Sequence, residues 1–304
     1  MVACHIRYVI SDIKKENGGN IMPENKEVCL GLMTWPEIES RLKESSIALI
    51  PVGQTEQHGL HASIDLDTRN AEGIAVRAAL SAFNSSKPVV APAICYGYSD
   101  LPGLRDYPGV FSLRGVTLVN LCYDVAFSLI RMGFTKIIFV NGHDANPPFI
   151  KEAMRLLTKK TGAFCAMAHI SEMNNSAAEE ILKKHAMPYD FGHACLIETS
   201  IAMAFGMEVK EDRMVGHYCD KIEGPVGKIF PEAPEGISFP AWERPEVMEG
   251  IWRQGLPGPK GNPAGSSKEL GEELILATIK PVVQLIEAVR DFEPELKENL
   301  EFEV

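Results

Sequence analysis

The chain has 304 residues, 45% of them hydrophobic, and a formal net charge of −11 from 30 basic and 41 acidic residues. This length can bury a substantial core, as one large α/β domain or two small ones. Because the basic residues cluster only in pairs such as Lys159-Lys160, we expect no binding to nucleic acid or to an acidic membrane.

The cysteines and the N-terminal residues indicate the cellular compartment of the protein. The seven cysteines are odd in number and form no Cys-x-x-Cys pair, and several, such as Cys95 and Cys165, lie in apolar stretches. Reduced core cysteines occur in such surroundings. The first twelve residues do not resemble a signal peptide, and no stretch approaches the roughly 20 apolar residues of a membrane span. We therefore predict a cytoplasmic protein.

Taken in chain order, the sequence begins with a polar, glycine-interrupted stretch. Residues 1–28 predict an arm or extension ahead of a single domain over residues 29–304. Helices and strands then alternate: helices are predicted over 35–42, 69–80, 115–132, 147–160, 193–205 and 267–289, and strands over 46–52, 89–92, 136–140 and 163–170. Such alternation predicts an α/β three-layer sandwich with a mostly parallel central sheet.

A Pro/Gly-rich segment at about 223–265 interrupts this alternation. It is too long for an ordinary connection between two elements. Segments of this kind often cover an active site or contact another subunit.

Residues 55–68 follow the first predicted strand and contain Glu56, His58 and Asp67. Carboxylate and imidazole are donors that suit zinc, manganese or ferrous iron, whereas calcium requires more oxygen ligands. These three residues are therefore candidate ligands and would supply part of a metal site. The alternative is that Glu56 caps a turn and His58 is a surface imidazole.

A second group of polar residues follows the predicted strand 136–140. Here His143 is a candidate ligand, Gly142 is expected to allow a sharp turn, and Asn141 and Asn146 are expected to hold the loop by hydrogen bonds to the backbone. Since ligands bind at the carboxyl ends of strands in open α/β sheets, both loops are expected at one edge. The alternative is that His143 caps the next helix.

His193 and Glu198 lie on a third segment, an apolar predicted helix. Five residues correspond to about 500° of helical rotation, so the two side chains share a face only if His193 lies at the helix start. A carboxylate among apolar residues is costly, which indicates that Glu198 has a cation or a proton as its partner.

These segments resemble the creatininase (creatinine amidohydrolase) family in order and separation. The motifs that carry the resemblance are residues 51–67, 141–146 and 192–200, and residues 261–272 are similar to the closing motif of the family. The match covers roughly residues 32–289. It implies an α/β fold with two divalent metal ions, zinc or manganese and in some members iron, in a homo-oligomer that is commonly a hexamer. It also implies a small-molecule substrate.

The resemblance also assigns roles to the candidate ligands. By motif position, Glu56 and His143 would bind one ion and His58 the other, with Asp67 bridging them. Creatininase binds the second ion with a glutamate at the position of Ala145 in this chain. Glu198 is the first candidate to replace that carboxylate, and Asp144 is the second.

The substrate is expected to differ from creatinine. Creatininase has an aromatic residue at the position of Asp144 and a tryptophan just before the position of Gly192, and this chain lacks both. We predict attack of a metal-bound hydroxide on a carbonyl in a cyclic amide or related metabolite, with His193 as proton donor. The alternative is ring opening of a keto-cyclitol, or deformylation, with Asp144, Tyr98 and Ser99 binding the substrate.

Two further hypotheses come from other classes. Ala145 makes a non-catalytic protein that binds a metal or metabolite conceivable, because a fold does not fix a function. A cysteine hydrolase would use Cys195 beside His193, but thiols within apolar helices are usually inert. His61 lies within the first motif and is expected to orient a ligand rather than to bind the metal.

Overall fold

The structure is a computed structural model, and it describes residues 27–99, 107–189, 192–216, 261–297 and 300. Residues 1–26 of the predicted arm and residues 223–260 of the Pro/Gly-rich segment lie outside the described residues. The elements below all belong to the described part of the chain.

The sheet consists of four strands, all parallel in the described residues. They are β1 (Ile47–Val52), β2 (Val89–Val90), β3 (Lys136–Asn141) and β4 (Phe164–His169). Their order is β2-β1-β3-β4. The next strand in the chain, β2, pairs with one side of β1, and β3 pairs with the other side. The boundary between β1 and β3 is therefore a topological switch point. In the register of these two strands, Val52 lies beside Asn141.

Helices cover both faces of the sheet. They are α1 (Trp35–Leu42), α2 (Leu66–Ser81), α3 (Phe83–Ser86), α4 (Gly115–Met132), α5 (Pro147–Thr161), α6 (Ile170–Lys184), α7 (Leu196–Ala204) and α8 (Lys268–Val289). One hydrophobic core joins the sheet to α2, α6, α7 and α8, and a second core joins it to α4 and α5. The predicted three-layer α/β sandwich with a mostly parallel sheet is confirmed.

Successive side chains of a strand point alternately into the two hydrophobic cores. In β1, Ile47 and Leu49 belong to the first core, whereas Ala48 and Ile50 belong to the second. Every residue of β1 and β3 is buried. Parallel strands that are covered on both faces are apolar throughout, and this is why these segments were recognisable in the sequence.

Two helices differ from the predictions. The sequence did not predict α6, which is rich in polar residues. Among its described side chains, the buried hydrophobic ones in the first core are Ile170, Ala178 and Leu182. The helix α7 begins at Leu196, with Cys195 in an extended conformation as its N-cap. His193 therefore lies before the helix, while Glu198 lies in its first turn, so the five-residue spacing does not separate them.

Of the helices in the described part of the chain, α4 alone is long and apolar enough to cross a membrane by length and composition. Leu118, Cys122 and Phe127 of this helix are buried in the second core. Since a core helix passes the same test, this property is weak evidence for a membrane span.

Candidate metal centre

Two glycines give the first turn of α2 room to lie across the carboxyl edge of the sheet. A Cβ atom on Gly53 would lie 2.3 Å from Thr68 Cα, and one on Gly142 would lie 2.4 Å from Asp67 O. Neither glycine has a positive φ. Gly142 is therefore required for close approach and not for the sharp turn that the sequence suggested. Asp67 is thereby held between the ends of β1 and β3.

Asparagine side chains hold the surrounding loops together. Asn146 Nδ2 donates to Gly53 O at 3.0 Å and to Asn141 Oδ1 at 3.1 Å, and its Oδ1 accepts from Tyr98 N at 3.0 Å. Asn141 Nδ2 donates to His143 O at 2.7 Å. The predicted roles of Asn141 and Asn146 are confirmed, and hydrogen bonds join the two glycine-containing loops to the segment around Tyr98.

Three histidines of the site each place one ring nitrogen against a backbone carbonyl. The contacts are His58 Nδ1 to Glu56 O at 3.1 Å, His143 Nε2 to Tyr98 O at 2.9 Å, and His193 Nε2 to Gln57 O at 2.6 Å. Because a carbonyl can only accept, each of these nitrogens carries the proton. When such a ring is neutral, its other nitrogen carries a lone pair.

Those remaining nitrogens face two buried carboxylates. His58 Nε2 lies 2.9 Å from Asp67 Oδ1, His143 Nδ1 lies 3.0 Å from Asp67 Oδ2 and 3.4 Å from Glu56 Oε1, and His193 Nδ1 lies 3.5 Å from Glu56 Oε1. Asp67 Oδ2 is buried without a hydrogen bond of good geometry. A lone pair facing a carboxylate is unfavourable unless a cation lies between them. Histidine ligands of metal ions have this arrangement, with the second nitrogen bonded to a carbonyl.

The donor atoms fall into two sets of three, within each of which all atoms lie less than 4.8 Å apart. One set is Glu56, Asp67 and His143, and the other is Glu56, His58 and His193. The mixture of imidazole and carboxylate donors fits zinc, manganese or iron. Asp67 contacts His58 with one oxygen and His143 with the other, as a bridging ligand would, while Glu56 is shared by both sets.

The pKa values show how strongly this site attracts positive charge. Burial by itself would lower the pKa of His58, but Asp67 raises it to about 9. Burial has the same effect on His143, but Glu56 and Asp67 raise its pKa to about 10. Burial would raise the pKa of Asp67, but His58 and His143 hold it well below its usual range. The carboxylates thus favour cations, whether protons or metal ions.

Glu198 lies next to this site without belonging to either set of three donors. Its Oε2 accepts a hydrogen bond of 2.6 Å from the backbone nitrogen of Ala194, whose φ is +53°. Burial raises the pKa of Glu198 to about 8, against an opposing effect of His58. The carboxyl group is therefore close to the donors but is turned toward the backbone.

The three predicted substrate-binding residues have different surroundings. Ser99 is buried, and its hydroxyl donates to Glu56. Tyr98 offers its carbonyl to His143, and its ring packs against Phe149 at 4.7 Å. Asp144 has a side chain that is 62% exposed. Of the three, Asp144 is the most exposed to solvent.

Asp144 leads to a residue that sequence reasoning missed. His169 is the last residue of β4, and its Nε2 lies 3.1 Å from Asp144 Oδ1. In the register of β3 and β4, Asn141 lies beside His169. Aligning the carboxyl ends of the predicted strands in parallel could have identified His169 from the sequence.

Two other residues do not enter the donor sets. His61 is buried, its Nε2 lies 3.0 Å from Thr199 Oγ1, and burial together with His58 lowers its pKa to about 4. It therefore contacts the helix that carries Glu198 and not a metal-ligand candidate directly. Burial raises the pKa of the Cys195 thiol to about 12, which is unsuitable for a nucleophile.

Comparison with known proteins gives consistent matches. A family model described as "Creatininase: Creatinine amidohydrolase" matches residues 31–286. The chain is 26% identical to creatinine amidohydrolase of Pseudomonas putida over 229 residues, which are 71% of this chain and 86% of that protein. It is 35% identical to the mycofactocin precursor peptide peptidase of Mycolicibacterium smegmatis over 130 residues, 42% of this chain and 50% of that protein.

A third relative acts on another kind of molecule. The chain is 28% identical to 3-dehydro-scyllo-inosose hydrolase of Thermotoga maritima over 178 residues, 57% of this chain and 54% of that protein. Among solved structures, a creatininase with manganese superposes with a TM-score of 0.68 at 23% identity, covering 88% of this chain and 100% of that chain. At this identity the likeness concerns the fold.

Proposed function

The chain belongs to the creatininase family of hydrolases, and we propose that it uses two divalent metal ions to hydrolyse a carbonyl-containing small metabolite other than creatinine. One observation carries this proposal. His58, His143 and His193 each give one nitrogen to a backbone carbonyl and turn the other toward the buried carboxylates Glu56 and Asp67. This arrangement suits cations held between them.

We assign the ligands as follows. Glu56, Asp67 and His143 would hold one ion, and His58, Asp67 and Glu198 would hold the other. Burial disfavours the charged form of Glu198, so a nearby cation would stabilise this carboxylate. Glu198 would thus replace the carboxylate that is missing at position 145. Zinc and manganese suit these donors, as does ferrous iron. When bound, such ions lower the pKa of a water molecule and polarise a carbonyl oxygen.

His193 would move a proton during the reaction. Its Nε2 proton is committed to Gln57 O, and its Nδ1 faces the site. Burial and the neighbouring His58 lower the pKa of His193, which keeps the ring neutral at pH 7. Nδ1 is thus able to accept a proton first and to donate it afterwards to the leaving atom.

The substrate is assigned as a cyclic amide or a related small metabolite. A second candidate is ring opening of a keto-cyclitol, or deformylation, by the same residues. The exposed carboxylate of Asp144 favours this second candidate, because it can accept hydrogen bonds from substrate hydroxyl groups. The inosose hydrolase among the relatives supports it as well.

Three features of the whole protein belong to the same proposal. We expect one catalytic domain over residues 29–304 that follows an N-terminal arm, and a homo-oligomer, by family resemblance a hexamer. We also expect a cytoplasmic location. The five cysteines in the described residues, Cys29, Cys95, Cys122, Cys165 and Cys195, are free, which suits a reducing compartment.

The deciding experiment measures metal content and hydrolysis on the same preparation. Protein loaded with manganese or zinc is analysed by plasma mass spectrometry and assayed on a cyclic imide, a cyclic 1,3-diketone and an N-formyl amine, with and without EDTA. Two ions per chain and EDTA-sensitive hydrolysis are expected. A protein that binds metal but hydrolyses none of these classes would favour the non-catalytic alternative, and a protein that binds no metal would refute the proposal.

Two variants separate the proposed roles at the second ion. Glu198→Gln should lower the metal content toward one ion per chain, whereas His193→Gln should keep two ions and lose turnover. Glu180→Gln and His185→Gln change exposed or part-exposed residues of the same types and are the matched controls. Loss of an ion in His193→Gln would instead make His193 a ligand, in keeping with its place among the donor sets.

A further inference from the structure

Asp144 and His169 form a pair beside the candidate metal centre. Asp144 directly follows His143 in the loop after β3, and His169 is the last residue of β4. His169 Nε2 donates to Asp144 Oδ1 at 3.1 Å. The hydrogen bond therefore joins two neighbouring strand ends at the edge where the ligand candidates lie.

The histidine of this pair is almost fully buried. The His169 side chain is 7% exposed, whereas the Asp144 side chain is 62% exposed. On its other side, His169 Nδ1 lies 3.5 Å from Glu172 Oε1 and is buried without a hydrogen-bond partner. The ring is thus enclosed between two acidic residues, and its one hydrogen bond in the described structure goes to Asp144.

Asp144 is the most exposed of the residues predicted to contact the substrate. Ser99 is turned toward Glu56, and the Tyr98 carbonyl toward His143. The charge of Asp144 acts on Glu198, so the carboxylate lies within electrostatic range of the centre. A carboxylate offers about four acceptor positions. The side chains of His169 and Ser171 each hydrogen-bond to this carboxylate, so other positions are left for a ligand.

We propose that His169 is a positioning residue that fixes Asp144 as a substrate-recognition carboxylate. The substrate class is then a small carbonyl compound that carries a hydrogen-bond donor, a hydroxyl or an ammonium group, beside the bond that is hydrolysed. This inference rests on the proposed function, since it names the substrate class of that site. A fixed carboxylate binds such a donor more tightly than a mobile one, because less side-chain freedom is lost.

The test uses full-length, metal-loaded protein and three ring compounds. Calorimetric titration compares 2-pyrrolidinone with its 3-hydroxy and 3-amino derivatives. The wild-type protein should bind one derivative about ten- to a hundredfold more tightly than the unsubstituted ring, as expected for a hydrogen bond to a charged acceptor. The derivative that is preferred distinguishes a hydroxyl donor from an ammonium donor. Equal affinity for all three compounds would overturn the inference.

Variants then assign the preference to the pair. Asp144→Asn and His169→Phe should lose the preference, whereas His169→Gln keeps an N–H donor and should restore part of it. Asp124→Asn changes an exposed aspartate on α4 and should keep the full preference. Retention of the preference in Asp144→Asn or in His169→Phe would overturn the inference.

Metal content and melting temperature are measured for every variant, and neither should change. Failure of the proposed function would appear separately, as missing metal or as absent EDTA-sensitive hydrolysis in the wild-type protein. An unaltered metal content together with an unaltered ring preference in Asp144→Asn would refute this inference alone.

Discussion

The two edges of the sheet bury ionisable side chains in opposite ways. At the amino edge, Lys136 begins β3 and is 1% exposed. Its ammonium group donates to Arg290 O at 2.9 Å and lies 3.3 Å from Glu293 Oε1. At the carboxyl edge, Glu56 and Asp67 are each 2% exposed, and they face ring nitrogens of three histidines.

The two edges differ in how completely the chain itself supplies hydrogen-bonding partners for the buried charges. The amino edge is closed by the chain itself, since Lys297 N donates to Thr161 O and a Cβ atom on Gly162 would lie 2.1 Å from Glu295 O. Lys136 is satisfied by that covering segment, so its burial is structural. At the other edge, Asp67 Oδ2 is buried without a hydrogen bond of good geometry, and the carboxylates raise the pKa values of His58 and His143. Buried charge therefore indicates function where the chain leaves it incompletely paired.

The largest effect is expected at Asp67. Asp67→Asn removes the charge that faces both His58 and His143 while keeping the side-chain volume. We expect loss of at least one ion per chain and a fall in activity of at least about a hundredfold. Metal analysis and steady-state kinetics measure both, with Asp124→Asn as the control. Full metal content in the variant would mean that the carboxyl edge does not depend on an outside cation.

A smaller effect is expected at Ser99, which donates to Glu56 without belonging to a donor set. Ser99→Ala should weaken metal binding by about ten- to a hundredfold, as removal of a residue that orients a ligand does. Competition with a coloured chelator gives the affinity directly. Ser128→Ala removes a hydroxyl that bonds to Asp124 O on α4 and should leave the affinity unchanged.

A substitution at the amino edge should lower the stability of the protein and leave its metal binding unchanged. Lys136→Met keeps the length of the side chain but leaves Arg290 O without its donor. We expect the free energy of unfolding to fall by about 1–3 kcal/mol in urea titrations of metal-loaded protein. The exposed Lys151→Met is the control. A lower metal content in Lys136→Met would show that the two edges are coupled.

The smallest effect is expected for Cys195, which is buried at the N-cap of α7. Because its thiol pKa is raised to about 12, Cys195→Ser should change activity by less than about twofold. An inactive variant with two bound ions and an unchanged melting temperature would restore the cysteine-hydrolase hypothesis.

Much of the fold could be predicted because parallel strands covered on both faces are apolar throughout. The segments around Ile50 and Phe139 were therefore evident, as was Asn141-Gly142-His143 at the end of one of them. The helix α6 was missed because its apolar face is narrow. The role of Gly142 was misjudged because the atom that needs the space, Asp67 O, is distant in sequence.

The sequence by itself determined the chemical types of the donors and their places after two strands, since both are local patterns along the chain. The tertiary structure alone decided that β1 and β3 are neighbours, that His193 lies before its helix, and that His169 holds Asp144. It also decided which histidine nitrogens face the carboxylates, because carbonyls such as Gln57 O, 136 residues from His193, fix the rings. Strand order and ring orientation depend on contacts between residues far apart in sequence, and no local pattern encodes them.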